Sequence, residues 1–326
     1  MSKKIIDGNH FFNQDCITGA RENVRPGSVD LIITDPPYGI DGDKLHRHYN
    51  RNEDYIVDGY VEIAAEQYAD FSHKWIQEAQ RILRPGGSIY IVSGYTNLFH
   101  ILAALRDTDL EEINHIIWKY NFGVYTQKKY ISSHYHILFY QKPGGERTFN
   151  LYSRYGQNER DKNGGSLNYQ DREDVWIINR EYKPGRTKNK NELPKALLTK
   201  IMQYSSNQED LVCDLFMGGF STAEVAIGLN RKFLGFEISD SIFSSGMERI
   251  KSVKRGELLD KLRKPDKAKP KNQNQPWTEA EKENLKKRYN ELVNRMDYKK
   301  DVIKKLCSEF GRGRFGIRRM IRKVKD

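Results

Sequence analysis

Cysteine is scarce in this chain: Cys16, Cys213 and Cys307 are the only three in 326 residues, far apart and without CxxC spacing. A disulfide framework and a structural zinc site are therefore not expected, and a reducing cytoplasm fits. Long hydrophobic runs are also lacking. None approaches the roughly 18 residues a membrane-spanning helix needs, so no membrane partner is expected. Met1-Ser2-Lys3-Lys4 precedes only two apolar residues before Asp7, which is not the pattern of a signal peptide. His46, His48, His134 and His136 have no carboxylate or cysteine at ligand spacing, so no metal is expected. There is no internal repeat. Aromatics, by contrast, are plentiful. With 14 Phe, 19 Tyr and 4 Trp, the chain can fill a core although only 37% of it is apolar. Wholesale disorder is thereby excluded. The length suits about two domains of roughly 150 residues each.

Charge is segregated along the chain. The net charge is +11, yet residues 251–326 hold 25 basic and 11 acidic residues, and residues 1–250 hold 30 and 33. All the positive excess thus sits in the last quarter. Such segregation suggests an appendage for a polyanion on a near-neutral body; a solvated, lysine-rich tail is the alternative.

The body reads as alternating strands and helices, which predicts a doubly wound α/β sheet. Strands are expected over 28–34, 88–92, 113–118, 136–140, 210–216 and 231–237. Helices are expected over 60–83, 96–106, 194–204, 221–229 and 243–253, with Arg84-Pro85-Gly86-Gly87 as a breaker. Periodicity fades over 142–173, as in a surface excursion. The expected domains are 1–255, a linker over 256–275, and a basic three-helix module over 276–326. Thr278 and Glu281 form a capping-box pattern at that module's start. Phe315, Ile317, Met320, Ile321 and Val324 are the expected buried side of its last helix.

Two strand-to-helix junctions carry chemistry. In Asp214-Leu215-Phe216-Met217-Gly218-Gly219-Phe220-Ser221-Thr222 a strand enters a glycine turn that opens a helix. Glycine lets backbone approach a ligand, and a helix N-terminus offers free N–H groups. Glu237, 18 residues after Gly219 and ending the next strand, is placed to take both hydroxyls of a ribose. Together they point to an adenosine-containing cofactor; a tight turn without ligand is the plainer alternative. The second junction is Asp35-Pro36-Pro37-Tyr38, also ending an apolar strand. The Asp35 carboxylate can accept from an exocyclic amine. Pro36, lacking an N–H, can aim its carbonyl as a second acceptor, and Tyr38 offers a face for a flat base. Two acceptors on one NH2 favour positive charge building on that nitrogen as it attacks an electrophilic methyl. An ordinary strand-ending turn is the alternative here. Ligands of open α/β sheets sit at the carboxyl ends of strands, where both junctions lie.

These residues resemble a known family, the amino-methylating DNA methyltransferases that use S-adenosylmethionine. Asp35-Pro36-Pro37-Tyr38 is similar to their catalytic motif, and Asp214 to Thr222 to their cofactor motif, Asp-Pro-Phe-x-Gly-x-Gly-Thr-Thr. The order, catalytic motif first, is that of the circularly permuted β-class. Asp15-Cys16, Arg84-Pro85-Gly86-Gly87, Asp174-Val175-Trp176 and 191–198 extend the resemblance over roughly 9–250. It implies a Rossmann-like, mostly parallel sheet and a cofactor site of Asp15, Cys16, Asp35, Asp214, Phe216, Gly218, Gly219, Ser221, Thr222, Glu237 and Ile238. It also implies catalysis by Asp35, Pro36, Pro37 and Tyr38. Departures are Phe220 in place of the motif's second glycine, and Asn189 and Leu193 in place of a histidine and a lysine.

The implied substrate is double-stranded DNA with adenine N6 as target, Asp rather than Ser in the catalytic motif favouring adenine by resemblance. Cytosine N4 methylation and a catalytically idle DNA-binding regulator are the alternatives; methylation of RNA or protein fits the basic module less well. The base must be flipped out, at a cost of a few kcal/mol. Lys44, Arg47, Arg51, Arg147 and Arg154 are the expected grips in the body. Arg314, Arg318, Arg319 and Arg322 are those of the last helix; the three-helix module, opening on Trp277-Thr278-x-x-Glu281, faintly resembles Myb-like or other helix-turn-helix modules. A dimerisation or protein-binding appendage is the rival reading of that module. A homodimer, a cognate restriction endonuclease and a nucleoid location complete the expectations.

Overall fold

The computed structural model describes residues 2–37, 63–121, 123, 125–181, 192–266, 272, 275–295 and 299–325. Tyr38, Lys44, Arg47, Arg51 and Asn189 lie outside the described residues. The chain divides into two compact units: Met1–Arg154 with Asp171–Lys264, and Tyr155–Gln170 with Pro265–Asp326. Among the described residues no helix is long and apolar enough to cross a membrane.

The first unit is built on one sheet of β1 (Ser2–Ile6), β2 (Asn9–Asn13), β3 (Val29–Thr34), β4 (Leu83–Ser93), β5 (Glu111–Lys119), β6 (His134–Gln141), β7 (Val175–Ile177), β8 (Leu211–Asp214) and β9 (Lys232–Phe236). Their order is β1-β2-β9-β8-β3-β4-β6-β5-β7. Neighbours from β2 through β4 are parallel, β6 runs against both its neighbours, and β1 runs against β2. The helices of this unit are α1 (Cys16–Asn23), α2 (Tyr68–Ile82) and α3 (Leu98–Arg106), then, after the short α4 (Leu167–Asp171) that falls almost wholly in the second unit, α5 (Lys195–Ser205), α6 (Ser221–Gly228) and α7 (Asp240–Lys251). This is the doubly wound, mostly parallel α/β fold expected from the alternation of elements.

Successive strand residues point to opposite faces, so a strand covered on both sides must be apolar throughout. Leu31, Ile32 and Ile33 of β3 obey this rule. Leu31 and Ile33 join a core with Leu197 and Ile201 of α5 and Ala223 of α6. Ile32 joins the opposite core with Trp75 and Ile76 of α2 and Ile101 of α3.

Three differences from the sequence expectations have physical causes. Arg84–Gly87 lies within β4 as an irregularity, between the pairs Val29↔Leu83 and Leu31↔Ser88. Gly86 has φ +75°, and a Cβ there would stand 2.3 Å from the Glu146 carbonyl oxygen, so the residues that stop α2 also admit a close backbone neighbour. β1 and β2 have no counterpart among the expected strands, because Phe11 and Phe12 give too short an apolar signal. The expected linker over 256–275 begins as packed chain. Gly256 and Leu258 donate backbone hydrogen bonds to the Ile227 and Gly228 carbonyls at 3.0 and 2.8 Å. Leu258, Leu259 and Leu262 pack on the core.

In the second unit, α8 (Glu279–Val293), α9 (Lys299–Phe310) and α10 (Arg314–Lys325) close around Leu285, Tyr289, Leu292, Val302, Ile303, Leu306, Ile317 and Ile321. The capping box forms: Thr278 Oγ1 accepts from Glu281 N, and the Glu281 carboxylate accepts from Thr278 N at 3.0 Å. Arg312 is buried, stacks over Trp277 at 4.1 Å and donates to Glu281 at 2.9 Å. Phe315 is not on the buried side: it is 80% exposed. It precedes Ile317 by two residues, about 200° around the helix, so the two cannot share a face.

Candidate active site

Four neighbouring parallel strands, β2, β9, β8 and β3, end at one edge of the sheet, and the chemistry-bearing residues follow their last positions. Asp35 follows β3, and Asp214 ends β8, its direct neighbour through Leu31↔Val212 and Ile32↔Cys213. Thr34 Oγ1 donates to Asp214 Oδ1 at 3.1 Å, tying the two junctions together. Glu237 follows β9, and Asp15 follows β2; Gln14 N donates to the Glu237 carbonyl at 3.1 Å.

Asp214 is 3% exposed. Its Oδ1 accepts from Phe216 N at 3.0 Å. Burial pushes its carboxyl up to about 6, although hydrogen bonds from Thr222, Phe216 and Thr34 favour the ionised form. Glu237 is also raised by burial, against hydrogen bonds from the Ser239 and Gly218 N–H groups. Gly218 N donates to its Oε2 at 2.9 Å and Ser239 N to its Oε1 at 2.8 Å. A carboxylate has about four acceptor positions, and the Ile238 N–H takes a third, so Glu237 orders the glycine turn and retains about one position for a ligand hydroxyl. Ser221 and Thr222 open α6 beside it, both buried, and Ile238 is half-exposed next to Glu237. Phe216 meets Trp75 edge-on at 5.5 Å, forming an aromatic wall on the β3 side.

Phe220, the departure at the motif's second glycine, adopts the backbone that glycine favours, with φ +63°. The left-handed region costs a non-glycine residue roughly 1–2 kcal/mol. Its ring is fully buried, stacked on Phe11 at 5.9 Å and edge-on to Phe243 at 5.8 Å. Burying a Phe contributes up to about 3 kcal/mol, which offsets the strain. The missing side chain is displaced to Gly246, where a Cβ would lie 2.2 Å from the Phe220 ring.

An ionic knot of Glu192, Lys195, Glu224 and Arg249 backs the turn. Arg249 donates to Glu192 at 2.8 Å, to the Gly219 carbonyl at 2.5 Å and to Glu224 at 2.6 Å; Lys195 also pairs with Glu224. A Cβ on Gly219 would meet Glu192 Oε1 at 2.3 Å, so a side chain there would displace Glu192 from Arg249. Glu192 stands in the 191–198 element already singled out; Arg249 gave no local signal.

At the catalytic turn Asp35 is half-buried and Pro36 buried. The Pro37 carbonyl accepts from the buried Tyr68 hydroxyl at 2.8 Å, a bond that fixes the turn on α2. Asp15 caps α1, its Oδ1 accepting from Ile17 N and Thr18 N at 3.1 and 2.9 Å. Cys16 turns its thiol into the core, where burial and nearby Asp15 raise its pKa well above the usual range. Its side chain packs in the core.

Among the expected DNA grips, Arg147 lies over the Phe139 and Phe149 rings at 5.3 and 5.4 Å. Arg154 is not an available grip. It pairs with Asp171 at 2.8 Å and donates to Gln203 at 2.9 Å. Lys200 and Tyr204 of α5 also reach Asp171, at 3.7 and 2.6 Å. This clasp joins the two ends of the 155–170 excursion. Arg318, Arg319 and Arg322 are exposed on one face of α10, and Arg314 is half-buried. His115 and His136 share a 2.8 Å contact, but no set of three metal-ligating side chains occurs among the described residues.

Comparison with known proteins places this geometry. The family model described as DNA methylase matches residues 29–248. Type II methyltransferase M.HpaI of Haemophilus parainfluenzae is 31% identical over 242 residues, covering 72% of this chain and 71% of that protein. DNA adenine methyltransferase YhdJ of Escherichia coli (strain K12) is 30% identical over 241 residues, covering 68% and 76%. The M1.HpyAVI–SAM complex superposes with a TM-score of 0.51 at 21% identity, covering 74% of this chain and 98% of that one. PvuII DNA methyltransferase (cytosine-N4-specific) gives 0.56 at 13%, covering 80% and 95%. At such identities these two show the shared fold. With the match to the family spanning both junctions and the sheet between them, the chain belongs to the DNA methylase family.

Proposed function

We propose that this DNA methylase transfers a methyl group from S-adenosylmethionine to N6 of an adenine flipped out of duplex DNA. The observation that carries the reading is the direct β3–β8 neighbourhood, with Thr34 bonded to Asp214, which sets Asp35 beside the glycine turn. Buried Glu237, with an acceptor position left beside Gly218, suits a ribose hydroxyl. S-adenosylmethionine supplies an electrophilic methyl on a positively charged sulfur.

Asp35 accepts from the exocyclic amine and, with the Pro36 carbonyl, holds the nitrogen toward that methyl. As the N–C bond forms and the S–C bond breaks, positive charge develops on nitrogen, and the Asp35 carboxylate stabilises it. The sulfur would depart as the neutral thioether S-adenosylhomocysteine, and the extra proton on nitrogen would pass to solvent, leaving a neutral methylated amine. Tyr68 keeps the turn in place through Pro37. Tyr38 is assigned to stacking on the flipped base.

The basic three-helix module grips DNA through Arg314, Arg318, Arg319 and Arg322, and the 142–173 excursion contributes to site selection. M.HpaI is named a Type II methyltransferase. By that likeness a cognate endonuclease is the partner expected here, and a second copy of the chain is the expected oligomer.

The test is incubation with duplex DNA and isotopically labelled S-adenosylmethionine, then digestion and mass spectrometry. N6-methyladenine is the expected product. N4-methylcytosine would reassign the base, and no labelled nucleoside would leave the idle regulator.

A further inference from the structure

Residues 113–145 contain no Asp or Glu, although the chain has 44 acidic residues in 326; they hold Lys119, Lys128, Lys129, Lys142 and three histidines. At the chain's average frequency such a stretch would carry four or five acids. The stretch covers most of β5, all of β6 and their connection.

Sheet register fixes where that connection emerges. Thr34, just before Asp35, is level with Ile91 of β4. Ser93, which ends β4, is level with His136, and Lys119, which ends β5, with His134. The connection over 120–133 therefore leaves the same edge as the catalytic turn. From β3 across β4 and β6 to β5 is three strand spacings, about 14 Å. That corresponds to about four base pairs of duplex at 3.4 Å each.

The connection has a fixed base. Tyr120 N donates to the Ser133 carbonyl at 3.0 Å, and Arg180 lies over the Tyr120 and Tyr135 rings at 5.0 and 5.2 Å. Its outer part is exposed: Tyr125 is 76% and Tyr130 99% accessible, and Lys128 and Lys129 stand between them. Nearer the catalytic turn, Tyr95 and Phe99 are 64% and 74% exposed just after β4. Phe99 touches His100 at 5.6 Å, and His100 touches Tyr68, the residue that holds Pro37, at 6.0 Å. On the other flank of the same edge stand the acids Asp15, Asp214, Glu237 and Asp240. A phosphate backbone is repelled by the acidic flank and attracted to the acid-free one. Lysines interleaved with open aromatic rings suit phosphates and bases together.

We propose that the β4–β6–β5 flank of the catalytic edge is the DNA track, with Lys128 and Lys129 on phosphates beside the target and Tyr125 and Tyr130 against bases or sugars. This rests on the methylase reading, but its test does not need turnover. Full-length protein is titrated with a fluorescent 20-base-pair duplex at several salt concentrations. Each lost phosphate contact reduces the slope of log K against log salt by about 0.9. The double variant Lys128→Ala/Lys129→Ala should therefore lose about 1.8 of slope and bind about tenfold more weakly at low salt. Lys4→Ala/Lys232→Ala, on strands away from this flank, should leave the slope unchanged. Tyr130→Ala should weaken binding at every salt with the slope kept, and Tyr130→Trp should restore it. Unchanged affinity for S-adenosylmethionine certifies the fold of each variant. A lysine variant with wild-type slope, or a control pair that loses as much, overturns the track. If the slope falls but the wild type makes no methylated base, the track stands and the methylase reading fails.

Discussion

Asp214 and Glu237 in the sheet unit are 3% and 9% exposed, each held by backbone N–H groups and raised in pKa by burial. Arg318, Arg319 and Arg322 in the helical unit stand in water on a helix face. Ions in the first setting have fixed positions and steep energies, as chemistry on one atom requires. Ions in the second setting have adaptable positions and screened energies, as a repeating polyanion requires. The difference predicts that single changes in the sheet unit act on transfer or cofactor affinity, and changes in the helical unit act on salt-dependent DNA affinity.

Asp35→Ala should give the largest effect. Removing a preorganised acceptor costs on the order of 100- to 1000-fold in turnover. DNA binding should persist in titrations, because the arginines are untouched. Wild-type-like turnover would end the catalytic assignment and blur the contrast between the units.

Glu237→Ala comes next. Hydrogen bonds to a charged acceptor contribute roughly 1.5–3 kcal/mol, so S-adenosylmethionine affinity should fall about ten- to a hundredfold by calorimetry. Glu237→Gln should recover part of it, since one oxygen can still accept from Gly218. Equal affinity in all three proteins would show that the cofactor lies elsewhere.

The arginines of α10 sharpen the other side. Replacing Arg318, Arg319 and Arg322 by Ala should flatten the log K–log salt slope by up to about 2.7, with turnover at saturating DNA kept. Lost turnover with an intact slope would reverse the roles of the two units.

The smallest expected effect is the pH dependence of folding. Asp214 has a folded pKa of about 6, above its unfolded value near 3.8. The native state then binds more protons between these values, so this group's contribution falls as pH rises from about 4 to 6 and stays low above. Asp214→Asn should flatten that part of a Tm-against-pH curve. A wild-type curve without any such decline would remove the case for a strained buried acid.

Much of the site was legible because its residues are contiguous. Asp35-Pro36-Pro37 and Asp214–Thr222 each join a strand end to a turn, and a local word of that kind carries its own chemistry. Glu237 was legible through spacing, since one helix and one strand separate it from the glycines. The capping box at Thr278 and Glu281 was legible for the same local reason. The pairing of Arg154 was not legible, because its partners, Asp171 and Gln203, come from distant positions that no periodicity announces. Phe315 was not legible, because an apolar residue in a basic helix signals the core by composition, while its angle of about 200° from Ile317 turns it to solvent.

The sequence by itself determined the two junctions, the alternation of strands and helices, and the segregation of positive charge, all properties of neighbouring residues or of plain counting. Only the tertiary structure decided that β8 lies beside β3, which makes two separate words one site. It also decided that Phe220 bears a left-handed backbone against Gly246, that Arg249 locks the glycine turn, and that the acid-free β5–β6 connection emerges at the catalytic edge. Each depends on strand order and register, which are set by the packing of the whole core and leave no mark within any single segment.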